Sequence, residues 1–431
     1  MRVVSVAPIR HALVSYLLVA CFAGSTLAQA QQAAVTPIDQ NEVNRQLMQR
    51  LQELEDEVKQ LKAQLAPAVP ATAILAVAAE QPAPAPAAPA VAAAEVNEVA
   101  PRLHLEVFGD VGAQKYSHLP DTFLFGSLDL FMTARLSDKV SALGEALFIA
   151  QSGNNVQVDV ERLILTYRHN EHLIVSAGRY HSWVGYYNTA FNKAAFLETT
   201  VDRPFIFQFD DTGGVLPMQE VGANVTGKIP SGKIRLGYVI EFGNGRAWGL
   251  NTQPAQNNQD ANNSKSVNGG LFVRPAKLPG LQLGFSLRYD NLTVPGPAVA
   301  ETIATTHAIF NNGTYEILNE GVFVRHAVAG GHLFETAAFY TQFSRSFKAF
   351  RPYFRYQYFN APSNDPVYAY ASINAYAPPS VTSFLGRFNG PSAGLRYNFT
   401  ENSAVKLQYD RYSLRGLPSE NGLSTQIAFS F

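Results

Sequence analysis

The chain has 431 residues with 33 basic and 34 acidic side chains and 47% hydrophobic content, a balance that supports no polyanion-binding surface and hence no nucleic-acid partner. Tyr (19) and Phe (28) carry nearly all the aromatic content against 2 Trp, 4 Met and 1 Cys, a profile that suits β-structure outside the cytoplasm. No apolar run of 18 residues occurs beyond the N-terminus, so a bilayer could be crossed only by strands.

Residues 1–30 read as a secretory signal peptide. Arg2 and Arg10 precede the apolar stretch ALVSYLLVACFAG, and Ala28-Gln29-Ala30 offers a small-x-small cleavage site. Leu18-Val19-Ala20-Cys21 also fits a lipoprotein box; cleavage after Ala30 instead removes the only cysteine, and disulfides and thiol chemistry with it. From Asn41 to Leu65 apolar residues alternate at spacings of three and four. Leu47, Leu54 and Leu61 fall at d and Leu51, Val58 and Leu65 at a, which predicts a short coiled coil. Residues 66–100 are Ala, Pro and Val with little charge, a semi-extended linker reaching on the order of 100 Å.

From Arg102 to Phe431 the period becomes two. In Gly280–Asp290, Leu281, Leu283, Phe285, Leu287 and Tyr289 share one face while Gln282, Ser286, Arg288 and Asp290 share the other, a lipid face and a water face. Strands are expected at 102–115, 122–135, 139–150, 155–168, 171–180, 218–228, 232–243, 264–275, 280–291, 302–311, 314–326, 332–343, 348–359, 389–399, 403–411 and 422–431. A soluble sandwich would alternate as well; the connections discriminate. Those after even strands are short, and the long ones (181–217, 244–263, 360–388 and 412–421) all follow odd strands, as in a barrel with both termini on one side of a membrane. The fold class is therefore all-β, a transmembrane antiparallel barrel of about 16 strands preceded by a short α-helical coiled coil. Glu161-Arg162 breaks the phase of the fourth strand, which predicts a bulge, and the eleventh and twelfth strands alternate poorly. The chain ends on a strand terminating in Phe431.

Sixteen strands enclose an aqueous lumen. Its expected lining is Arg351, Arg355, Arg396, Lys406 and Asp410 on strands thirteen to fifteen, with Arg235 and Arg288 across from them and Glu106, Asp110, Asp129, Glu145 and Glu220 on the early and middle strands. Opposed basic and acidic arcs would set a transverse field across the passage, unless the charges pair along the wall. The 181–217 connection, with Lys193, Glu198, Asp202, Arg203, Asp210 and Asp211, holds apolar pieces (AAFLETTV, PFIFQF) that predict an inward fold and a narrowed pore, against the alternative of a surface lid.

The coil, the Ala/Pro linker, the sixteen strands and the long third outer loop together resemble the phosphate-selective porin group and related trimeric porins with an N-terminal periplasmic coiled coil. The resemblance implies a homotrimer in outer-membrane lipid passing small polar solutes, anionic or dicarboxylate-like. The third loop departs from the phosphate-selective pattern, with Lys193 and Arg203 against four carboxylates and no lysine cluster. Two other classes compete. A hydrolase would need a nucleophile and base together, for which His181, Ser182 and His332 are the available outer-loop residues. An envelope anchor would use the coil, where Arg45, Arg50, Lys59 and Lys62 permit a cell-wall contact. Asp210-Asp211 lacks the spaced ligands of a calcium loop, and no catalytic residue, metal or cofactor is expected.

Overall fold

The computed structural model describes residues 102–118, 120–151, 155–191, 195–208, 214–248, 254–256, 258–294, 296–368, 386–414 and 418–431. The signal peptide, coiled coil and linker expected over residues 1–100, together with Lys193, Asp210 and Asp211, lie outside them.

Sixteen strands form the barrel. They are β1 (Arg102–Tyr116), β2 (Thr122–Arg135), β3 (Val140–Gln151), β4 (Asn155–Arg168), β5 (Ile174–His181), β6 (Gln219–Lys228), β7 (Leu236–Gly243) and β8 (Ser266–Val273). The second half is β9 (Leu281–Leu292), β10 (Val299–Asn311), β11 (Tyr315–Val328), β12 (His332–Arg345), β13 (Phe350–Asn360), β14 (Arg387–Thr400), β15 (Ser403–Leu414) and β16 (Glu420–Ser430). Each pairs antiparallel with its neighbour in sequence, and β1 pairs with β16 to close the sheet, which leaves no free edge. Beyond the last strand, Phe431 and Val107 exchange backbone bonds of 2.9 Å in both directions, so the terminal residue extends the seam. A separate hairpin of Arg246–Trp248 and Pro254–Gln256 lies in the connection after β7.

The connections obey the expected parity. Those after even strands span at most the seven residues of 229–235 and 274–280, while 182–218, 244–265 and 361–386 follow odd strands. One rim of the barrel is therefore a turn end and the other a loop end. The connection after β15 is shorter than expected, 415–419, because both flanking strands extend into it.

Outside, the barrel is apolar. Leu283, Phe285 and Leu287 are exposed on β9, Val405, Leu407 and Tyr409 on β15, and Leu423 and Ile427 on β16. Exposed aromatics gather toward the rims, with Tyr167, Phe343, Phe350, Tyr397, Phe399 and Phe431 at the turn end and Phe123, Phe125, Tyr289 and Tyr409 toward the loop end. An apolar band between aromatic belts is what a bilayer and its two interfaces require.

Irregularities re-aim the inner face. Register shifts between Glu145 and Ala146 against β4, so Glu145 pairs with Arg162 while Ala146 pairs with Val160, and Glu161 is the bulged residue as expected. A second bulge lies on β2, where Gly126 and Ser127 oppose Asp110 alone. The Asp110 carboxylate accepts from Ser127 N and Oγ, both at 3.0 Å, and occupies the space a Cβ on Gly126 would take. Gly178 on β5 has φ of +133° and lies against the Leu163 carbonyl, a backbone that excludes any side chain. β11 and β12 prove regular, with strictly alternating burial along β11. Their hydropathy alternates poorly because the inner face carries Leu318, Val322 and Val324, which face a packed loop rather than water.

Candidate functional site: a loop clasped to the inner wall

The connection 182–218 carries the short helix α1 (Tyr187–Ala190) and a 3-10 turn at Phe205–Phe207, and it folds into the barrel. Apolar contacts are the first reason. Phe205 stacks on Phe388 with ring centroids 4.4 Å apart and meets Phe359 edge-on at 5.6 Å. Phe207 and Tyr187 stack at 5.9 Å, and both meet Tyr340 edge-on. With Val184, Ile206, Val215, Leu216 and Met218 these form one buried cluster reaching Leu318, Val322 and Val324.

Backbone satisfaction is the second reason, because a loop inside a barrel must find partners for its own peptide groups. The wall supplies them from side chains. Lys406 Nζ donates to the carbonyls of Ala195 (2.5 Å) and Thr200 (2.7 Å). Arg396 Nη1 donates to those of Phe196 and Glu198, both at 2.8 Å. Arg355 Nη1 reaches Thr200 Oγ1 (3.1 Å) and the Asp202 carbonyl (2.8 Å), and its Nη2 pairs with the Asp202 carboxylate. Arg351 lies 3.4 Å from Thr199 Oγ1 and 3.7 Å from Glu316. The loop's amides are met in turn by acceptors: Phe205 N by Gln357 (2.5 Å), Val201 N by Gln408 (3.1 Å), and Tyr186 N and Tyr187 N by Glu320 at 2.5 and 2.9 Å.

The basic row on β13–β15 thus points inward as expected but does not line an open lumen: Arg355, Arg396 and Lys406 are buried under the loop they hold. Nor are the arcs simply opposed. Arg288 lies among Glu220 (3.0 Å), Asp290 (3.1 Å) and Glu301 (3.5 Å) on its own side of the barrel. Glu301 also pairs with Arg246 at 2.5 Å and with His326 at 3.1 Å, and His326 Nδ1 is 2.7 Å from Asp365, so two outer connections are tied to the wall near the loop end. Glu145 pairs with Arg162 at 2.5 Å, and Asp129 is buried beside Glu145. Asp410 accepts from Tyr116 and Tyr412. Glu106, half-buried, keeps the inward phase on β1.

Arg235 does not sit on a strand. It is exposed, in the turn before β7, with a left-handed φ of 53° after a 3-10 turn at Gly232–Ile234; β7 starts at Leu236, not at 232. His181 and Ser182 are not solvated outer-loop groups either. His181, the last residue of β5, is buried between the Asn188 carbonyl (3.1 Å) and Glu161 (3.3 Å), and the Ser182 hydroxyl is committed to Glu241 (3.4 Å). Glu301, Glu316, Glu320, His326, Arg246 and Asp365 escaped the sequence reading. Inward phase on β10 and β11 would have flagged the first four, had the apolar residues between them not blurred the pattern.

On its other side the loop borders a cavity of about 390 Å³ against β1, β2 and β16, lined by Asp110, Gln114, Ser127 and Gln426 from the wall and Asp202 and Arg203 from the loop. Glu198, on the loop, is buried 3.6 Å from Arg203. Burial pushes its carboxyl up to about 7, against the opposing pull of Arg203 and Lys406. The docked loop therefore holds a proton that a released loop gives up near the ordinary glutamate value of 4.5. Stability of the docked state is greatest below that value and is lost as pH rises toward 7, by about 3 kcal/mol at most. Hydrogen exchange in 195–208 should accordingly be faster at pH 8 than at pH 5 after correction for intrinsic rates, and Glu198→Gln should abolish the difference.

No family model and no curated sequence matches the chain. Solved structures do. The anion-selective porin from Comamonas acidovorans superposes with a TM-score of 0.54 at 11% identity, over 77% of this chain and 100% of that one. The outer membrane channel DcaP of Acinetobacter baumannii gives 0.51 at 10% identity, over 77% and 97%. A loop-deletion form of OmpT, an outer membrane protein of Vibrio cholerae, gives 0.50 at 12% identity, over 77% and 100%. At such identities the likeness is one of fold: this chain has the sixteen-stranded fold of Gram-negative outer-membrane porins.

Proposed function

We propose that the protein is an outer-membrane channel for passive diffusion of small hydrophilic solutes or ions, with the turn end in the periplasm, the 182–218 loop as its constriction and the homotrimer as its working form. The observation that carries this reading is the clasped loop. A segment anchored at its carbonyls, amides and aromatic rings, with a cavity bordered by Asp110, Gln114, Asp202 and Arg203 left on its free side, is built to narrow a passage without closing it. The apolar outer band and aromatic belts support the membrane setting. Refolded mature protein in planar bilayers tests it. Stepwise conductance grouped in threes is expected, and a sealed bilayer despite confirmed insertion would refute the channel.

A further inference from the structure

Two cavities adjoin beneath the loop at the turn end. One, of about 700 Å³, is bordered by Arg168, Lys228, Arg235 and Arg274 with Glu171, and Glu171 is itself paired with Lys228 at 2.8 Å. The other, of about 670 Å³, has Trp183, Tyr186 and Gln282 in its lining and, among the described residues, no carboxylate. Arg235 and Arg274 border both. Both volumes fall in the range of small-molecule sites, about 300–1,000 Å³.

The side chains between them are arranged rather than scattered. The Trp183 indole packs on Phe272 with ring centroids 5.3 Å apart and edge-on to His307 at 5.6 Å, and Tyr186 approaches His307 at 5.8 Å. The guanidinium of Arg274 lies over the Phe272 ring at 4.7 Å. Its Nε donates to Gln282 Oε1 at 2.7 Å, and Gln282 is fixed in turn by His307 at 3.0 Å. That leaves the two terminal nitrogens of Arg274, the fork that grips a carboxylate bidentately, without a partner among the described residues. Arg235 is held beside it in a left-handed conformation, its carbonyl accepting from Arg274 N at 3.3 Å. Its guanidinium has no ion pair among the described residues.

We propose that this vestibule is a binding site for a planar aromatic carboxylate, its carboxylate held by Arg274 and Arg235 and its ring lying against Trp183 and Tyr186, which line the second cavity with them. The aromatic lining selects flat, polarisable solutes, and the absence of acid from the described lining of the second cavity selects anions. The site deepens the channel reading by naming a solute class for one end of it, yet binding can be measured without current. Trp183 and Trp248 are the only tryptophans, so Trp248→Phe in the full chain leaves the site with a single fluorophore. Benzoate titrated into this refolded variant should quench Trp183 saturably, while benzamide and cyclohexanecarboxylate should bind at least about tenfold more weakly. Arg274→Gln should weaken benzoate by about tenfold as well. Arg235→Gln, an exposed turn substitution that does not threaten folding, should weaken it in the same direction. Quenching that never saturates, equal binding of cyclohexanecarboxylate, or indifference to both arginine variants would overturn the proposal. Benzoate binding by a protein that carries no current would uphold the site and remove the channel reading.

Discussion

Replacing Arg355 and Lys406 together by methionine should release the 195–203 segment from the wall and raise single-channel conductance, with the barrel itself intact. These two side chains hold the loop through the carbonyls of Ala195, Thr200 and Asp202 and the Asp202 carboxylate, all charge-assisted bonds. Each such bond is worth roughly 1.5–3 kcal/mol when made in a buried setting. Methionine preserves the volume and introduces no polar group, so the wall strands, whose pairing is entirely backbone-mediated, have no reason to open. The aromatic contacts of Phe205 and Phe207 remain and limit the release to the segment on their N-terminal side. Hydrogen exchange in 195–203 should therefore accelerate by about a hundredfold, equivalent to about 3 kcal/mol, while the strand amides stay protected. Unchanged exchange and unchanged conductance together would show that the apolar cluster and the remaining bonds from Arg396, Gln357, Gln408 and Glu320 suffice to seat the loop.

How much of this was legible in the sequence follows from the range over which each feature is decided. Strand positions were legible because a two-residue period is local: Leu281 through Tyr289 announce a lipid face without reference to any partner. The bulge at Glu161 was legible for the same reason, since a phase slip shows within one strand. The parity of connection lengths carried the closure of the barrel. What a lumen-facing charge does was not legible, because its partner lies elsewhere in the chain. Lys406 reads as a pore-lining cation until Ala195 and Thr200, some two hundred residues away, are found beneath it. Arg235 fits the alternation perfectly and is displaced only because the chain turns through a 3-10 turn first. The strand at β11 was placed, but its alternation was blurred for the opposite reason: its inner face is apolar where the loop covers it, so burial alternates while hydropathy does not.

Near the loop end the wall is held by charge rather than by aromatic packing, and there Glu301 has the largest expected effect on stability. Its carboxylate serves Arg246 at 2.5 Å, His326 at 3.1 Å and Arg288 at 3.5 Å, and it is fully buried. Among the described residues Glu301→Leu leaves Arg246 with no carboxylate at its guanidinium, its other contact there being the Val215 carbonyl at 3.5 Å. Arg288 retains Glu220 and Asp290, and His326 retains Asp365. The damage should therefore concentrate on Arg246, at about 3–5 kcal/mol for a buried charge stripped of its partner. A buried pair replaced on both sides by apolar residues is commonly neutral, because the desolvation cost of two ions vanishes with their attraction. Adding Arg246→Leu to Glu301→Leu should then restore most of the lost stability, read as a shift of the urea midpoint at unchanged slope. The same double variant frees the hairpin at Arg246–Trp248 from β10, so its amides should exchange faster even where global stability has recovered. If the double variant is no more stable than the single one, Glu301 acts through Arg288 and His326 instead, and the three-cation hub must be treated as one unit.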